Sequence, residues 1–120
     1  MKKSPTRKVH RIDAADEVFG RLASRIAVLL RGKHKASFHP AEDRGDIVHV
    51  TNCAKIKFTG RKLDQKKYYR HSHYPGGLKE TLLRTRFNVH PEELLRDAVL
   101  HMLPDNRTRS VLIRRLRIEK

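Results

Sequence analysis

At 120 residues, with 28 Lys and Arg against 13 Asp and Glu and a formal net charge of +15, the chain reads as one basic domain whose compact state repels itself until a polyanion neutralises it. No apolar run approaches the roughly 18 residues of a membrane span, and Met1-Lys-Lys-Ser-Pro-Thr-Arg-Lys8 lacks the apolar stretch of a secretory signal, so a soluble cytoplasmic protein is expected. A single cysteine, Cys53, excludes an internal disulfide.

Residues 1–8 form a basic arm without apolar periodicity, expected to be disordered away from a partner, and residues 9–120 form the domain. Val9 and Ile12 mark a short strand over 9–13. Asp16 is placed to cap the next helix, with Glu17 in its first turn. From Val18 to Arg31, helical spacing gathers Leu22, Ala23, Ile26, Ala27, Leu29 and Leu30 within about 160° of arc. Arg21, Ser24, Arg25 and Arg31 lie opposite, and Val28 is a misfit on that polar side. Gly32 suits the position just past the helix end, where Lys33, His34 and Lys35 follow. There Lys33 and Lys35 can meet phosphate or complement the helix dipole.

Acidic residues collect in one connection, where Glu42, Asp43 and Asp46 outnumber Arg44. Ile47-Val48-His49-Val50-Thr51 is the plainest strand, assigned to 47–52, with His49 a hydrogen-bonded sheet residue. Residues 52–56 fit either a short helix or an extended segment, and Thr59-Gly60-Arg61 marks a turn. Residues 66–72 read as a strand with Tyr68, Arg70 and Ser72 on one face and Tyr69 and His71 on the other. A short helix is expected from Lys79 to Arg86. Pro91 then opens a stronger one, in which Leu94, Leu95, Ala98, Val99, Met102 and Leu103 repeat until Pro104, with Met102 assigned to core filling. Asn106 to Arg115 reads as a further basic helix, and a strand over 115–119 closes the chain. Four strands separated by helical segments predict an α/β fold with parallel neighbours, because parallel strands need long crossovers.

The chemistry concentrates between Lys66 and Lys79, in Lys-Lys-Tyr-Tyr-Arg-His-Ser-His-Tyr-Pro-Gly-Gly-Leu-Lys. Four cations, three tyrosines and two histidines surround a Pro-Gly-Gly turn with one aliphatic side chain, Leu78, so the segment cannot be core. Lys67, Arg70 and Lys79 supply phosphate contacts, Tyr68, Tyr69, His71 and Tyr74 supply flat faces for unpaired bases, and Gly76 and Gly77 let backbone approach a polyanion. Residues 55–70 hold seven cations against Asp64 alone, and residues 107–120 hold six against Glu119. Separated basic runs interleaved with rings favour nucleic acid over a merely solvated face.

Other chemistries lack their parts. His71-x-His73 puts two imidazoles on one side of a strand, but no nearby ligand completes a metal site. No phosphate-loop or dinucleotide fingerprint accompanies Gly76-Gly77, and no paired carboxylates lie beside the aromatic-basic stretch, so no cofactor, metal or small-molecule substrate is expected. The basic faces do not oppose exposed Trp, Phe or Leu as an interfacial helix requires, which argues against a membrane partner.

Tyr68-Tyr-Arg-His-Ser-His-Tyr-Pro-Gly-Gly77-Leu-Lys resembles the signature of the L-thirteen family of large-subunit ribosomal proteins in its bacterial form. Gly20-Arg-Leu-Ala-Ser, Leu30-Arg-Gly-Lys-His-Lys35, Gly45-Asp-Ile-Val, Thr59-Gly-Arg-Lys62, Ala98-Val-Leu-His-Met-Leu-Pro-Asp-Asn106 and Arg115-Leu fall in the family's order. The resemblance implies a single three-layer α/β/α domain with a four-stranded, mainly parallel sheet. It also implies binding to large-subunit ribosomal RNA beside neighbouring ribosomal proteins, help in early assembly, and no enzymatic activity. Carried over by position, the RNA-contacting residues are Lys33, His34 and Lys35, Lys62, the run Tyr68 to Gly77 including Ser72, and Arg107, Arg114 and Arg115. Lys67, Lys79 and Arg109 join them from the charge pattern. His73 stands where the family usually has Gly, Cys53 stands where Ala is usual, and the sequence ends at Lys120 without the Gly- and His-Pro-His-containing tail common in bacterial members.

Overall fold

The computed structural model describes residues 6–120, so residues 1–5 of the expected arm lie outside the described residues. Along the chain come β1 (Val9–Asp13), α1 (Phe19–Arg31), β2 (Ile47–Thr51), α2 (Lys62–Gln65), β3 (Lys67–His71), β4 (Leu78–Leu82), α3 (Leu83–Val89), α4 (Pro91–Met102), α5 (Arg109–Ile113) and β5 (Leu116–Ile118). The ambiguous stretch after β2 is a 3-10 turn at Cys53–Lys55.

Strands β1, β2 and β5 form a parallel sheet in that order, with Ile12 opposite Val50 and Val48 opposite Leu116. The central strand carries the β-branched run, and Val48 and Val50 are fully buried, as a strand covered on both faces requires. Helix α1 turns Leu22, Ala23, Ile26, Ala27 and Leu30 into the same core, where Leu95 and Val99 of α4 and Leu112 of α5 meet them. Val28 stays exposed, as the helical spacing predicts.

The expected four-stranded parallel sheet is corrected to three strands plus a separate ribbon. Strand β3 pairs antiparallel with β4, and the Lys79–Arg86 helix is instead the end of a strand followed by α3. Lys-Tyr-Tyr-Arg-His has no aliphatic residue to bury on either face, so it cannot serve as a parallel-sheet strand, and the Pro-Gly-Gly turn sends the chain straight back along it.

Asp16 does not cap α1. It sits at φ 63, outside the helix, and pairs with Lys57 at 3.2 Å. The helix start is satisfied instead by the adjacent chain, with the Phe19 N–H donating to the Lys57 carbonyl at 3.0 Å. Met102 is also corrected: it is 46% exposed at the end of α4, and Leu103, one residue on, enters the core in its place. Cys53 is fully buried, and burial together with the charge of Glu92 pushes its thiol up to about 11.

Candidate nucleic-acid interface

Strands β3 and β4 stand out from the body as a ribbon with Arg70 opposite Lys79 and His71 opposite Leu78. All residues from Tyr69 to Gly76 are exposed, with Tyr69 at 62% and Tyr74 at 74%. The radius of gyration, 16.2 Å, exceeds the roughly 13.6 Å of a compact 120-residue domain, consistent with a projecting element.

The tip is closed by its own backbone. The Ser72 N–H donates to the Gly77 carbonyl and the Gly77 N–H to the Tyr74 carbonyl, both at 2.9 Å. Two left-handed residues turn the chain, Gly76 at φ 71 and His73 at φ 65, and the His73 N–H donates to Nδ1 of His71 at 2.8 Å. His73 therefore holds a conformation better suited to glycine, at a cost of about 1–2 kcal/mol. Gly77 has a different reason: a Cβ there would overlap the Ser72 side chain and lie 2.9 Å from the Tyr74 oxygen. Its close approach is to its own turn.

Arg70 and Lys79 face each other directly, and like charges at that position destabilise a ribbon unless an anion lies between them. Among the described residues, neither has a side-chain hydrogen bond or ion pair, and the same holds for Lys33, Lys62, Arg107 and Arg114. Lys67 reaches exposed Glu80 at 3.5 Å and half-buried Arg109 reaches exposed Asp105 at 3.5 Å, both solvent-screened pairs worth little in water. Tyr68, half-buried, is turned toward the body, with the Arg86 guanidinium 4.9 Å and the Lys66 ammonium 5.3 Å from its ring centre. It braces the ribbon and faces the body, leaving Tyr69, His71 and Tyr74 as the open faces of the hairpin itself.

The other candidate cations serve an internal network that the sequence reading missed. Asp46, fully buried, accepts from Lys35 Nζ at 2.6 Å, His10 Nε2 at 2.7 Å, His34 Nε2 at 2.9 Å and the Lys8 N–H at 3.1 Å. Burial pushes its carboxyl up, but the bonds from Lys35, His10, the Lys8 amide and His34 outweigh it and hold the pKa well below the usual carboxylate range. Asp43 binds Arg115 in a two-pronged pair at 2.6 and 2.8 Å, with Arg7 at 3.3 Å. Burial raises that carboxyl too, and Arg115 and Arg7 bring it below its ordinary value. Arg115 also donates to the Leu30 carbonyl at 2.9 Å and the Asp46 carbonyl at 3.3 Å. A Cβ on Gly45 would overlap the Leu30 carbonyl, so only glycine lets the loop close over this network.

His34, Lys35 and Arg115 thus have internal partners, and the 43–46 connection clamps residues 7–10, the end of α1 and the start of β5 together. The available signal was an acidic patch inside a strongly basic chain, immediately before the most buried strand. Imidazoles able to share a cation with a carboxylate are His10 and His34 beside Asp46, with donor atoms within 4.8 Å of one another. The Lys35 ammonium already neutralises that carboxylate. His49 is paired in the sheet with Glu119 at 2.9 Å.

A model of the family described as Ribosomal protein L13 matches residues 7–119. Proteins called large ribosomal subunit protein uL13 align over 107 residues, 89% of this chain: 53% identical in Nitratidesulfovibrio vulgaris over 74% of that protein, 56% in Chloroflexus aggregans over 75%, and 51% in Aquifex aeolicus over 74%. With the family's span running from Arg7 of the buried clamp through the hairpin to Glu119 of the last strand pairing, the chain belongs to the ribosomal protein L13 family.

Proposed function

We infer that this protein is a structural component of the large ribosomal subunit that docks on large-subunit ribosomal RNA through the β3–β4 hairpin and supports RNA folding early in assembly. The observation that carries this reading is the exposed Arg70–Lys79 cross-strand pair, which lacks an anion among the described residues and gains one when a phosphate enters. Tyr69, His71 and Tyr74 add stacking faces beside it, and Lys33, Lys62, Arg107 and Arg114 extend the charged surface. Neighbouring ribosomal proteins are its other partners. No enzymatic step belongs to this role, and no helix among the described residues is long and apolar enough to cross a membrane.

The test is a filter-binding titration of large-subunit ribosomal RNA transcripts across salt. Arg70→Ala and Lys79→Ala are each expected to reduce the slope of log affinity against log salt by roughly one, and an unchanged slope in both refutes the hairpin as the phosphate contact.

A further inference from the structure

Between the start of α1, the 58–62 turn, β3 and α4 lies a cavity of about 390 Å³, within the roughly 300–1,000 Å³ of small-molecule sites. Its wall is mainly apolar and aromatic: Phe19, Phe58, Tyr68, Leu83, Leu94 and Ala98. The rings are fixed. Phe19 and Phe58 lie 5.0 Å apart between centroids, Phe58 packs edge-on to Phe87 at 5.1 Å, and Tyr68 is held by Arg86 and Lys66. The cavity shares Thr59, Lys62 and Lys66 with a shallow groove of about 550 Å³ that also carries Arg61. An aromatic hollow therefore opens onto a basic channel.

Gly20 lies at the edge of the cavity. It lies in the first turn of α1, where glycine weakens a helix, and a Cβ there would meet nothing within 4 Å. Neither turn geometry nor crowding requires glycine at this position. Gly20 is exposed and stands at the edge of the cavity it helps to line, so a side chain there has room to enter the mouth.

We propose that this cavity seats one unpaired nucleotide of the bound RNA, its base against Phe58 and Tyr68 and its phosphate on Lys62, Lys66 and Arg61. The site rests on the RNA-binding reading above and supplies a second anchor, on the body. A basic rim favours a nucleotide over an apolar side chain from a neighbouring protein, because only the nucleotide brings an anion to the same mouth.

Full-length protein labelled with nitrogen-15 is titrated by NMR with an adenylate tetranucleotide and with an abasic tetramer of equal charge. The base-bearing oligomer is expected to bind about tenfold tighter and to shift the amides of Gly20, Phe58 and Ala98, while the abasic one moves only Lys62 and Lys66. Gly20→Leu adds bulk at the edge of the cavity, at a position where a Cβ meets nothing within 4 Å, and is expected to remove the tenfold preference while leaving the fold intact by circular dichroism. Equal binding of the two oligomers, or an undiminished preference in Gly20→Leu, overturns the proposal. The same variant is assayed on ribosomal RNA transcripts. If the wild-type protein fails to bind them, the RNA-docking reading fails. If wild type and Gly20→Leu bind them equally, only the nucleotide seat fails. Crosslinks from Met102 to a neighbouring ribosomal protein that Gly20→Leu abolishes, with RNA affinity kept, identify a protein side chain as the occupant and also overturn it.

Discussion

Replacing Asp46 with Asn tests the buried clamp directly. The carboxylate takes four donors, two on each oxygen, with Lys35 and the Lys8 amide on Oδ1 and His10 and His34 on Oδ2. An amide keeps the shape but offers one acceptor oxygen and turns an NH2 toward donors on the other side, while the Lys35 ammonium, 21% exposed, loses its counter-charge. Removing one partner of a fully buried pair costs about 3–5 kcal/mol, and the partial exposure of Lys35, His10 and His34 places this case near 3 kcal/mol. For a chain of this length that lowers Tm by roughly 10 °C at pH 7, read by circular dichroism and by the urea midpoint. The pH dependence has a definite sign. The folded pKa of Asp46 lies below its ordinary 3.8, so the stabilisation is complete above that value and drains away as pH falls toward the folded pKa. Wild type and Asp46→Asn should therefore converge below about pH 4. A difference below 1 kcal/mol at pH 7, or one that persists unchanged at pH 2.5, refutes the clamp.

Arg115→Lys keeps a cation but cannot reproduce bonds to Asp43, Leu30 and Asp46, so a stability loss of about 2–3 kcal/mol is expected with no change in the salt slope of RNA binding. A reduced slope would restore Arg115 as a phosphate contact. Cys53, buried and with its thiol near 11, should resist alkylation at pH 8 in the native protein and react in urea only as the fold opens. Gly20→Ala should raise stability by about 0.5–1 kcal/mol in a urea titration, and a loss would reveal a contact at that position.

Local patterns in the sequence carry α1, α4 and β2 well, because each has an apolar face whose period identifies it. Pairing partners are harder. The 66–72 strand shows alternation, but alternation says nothing about which strand lies alongside, and its lack of aliphatic residues was the cue against the parallel sheet. Met102 fits the helical period yet lies one residue before the chain leaves α4, where the arc no longer faces the core. The hairpin was legible as an exposed surface because its composition cannot be buried. The division of cations between surface and interior was not. Lys35 and Lys33 look alike in sequence, and only the fold brings Asp46 to one of them.

The β3–β4 ribbon has no further strand against either long side among the described residues, so two rows of amide and carbonyl groups face solvent. In the free protein, mutual repulsion between highly charged molecules keeps one ribbon from zipping onto another. An indiscriminate polyanion that cancels the charge without covering those rows should turn a clear solution cloudy; on the docking proposed above, a newly made copy is safest when its first anionic contact is an RNA fold able to sheathe the ribbon.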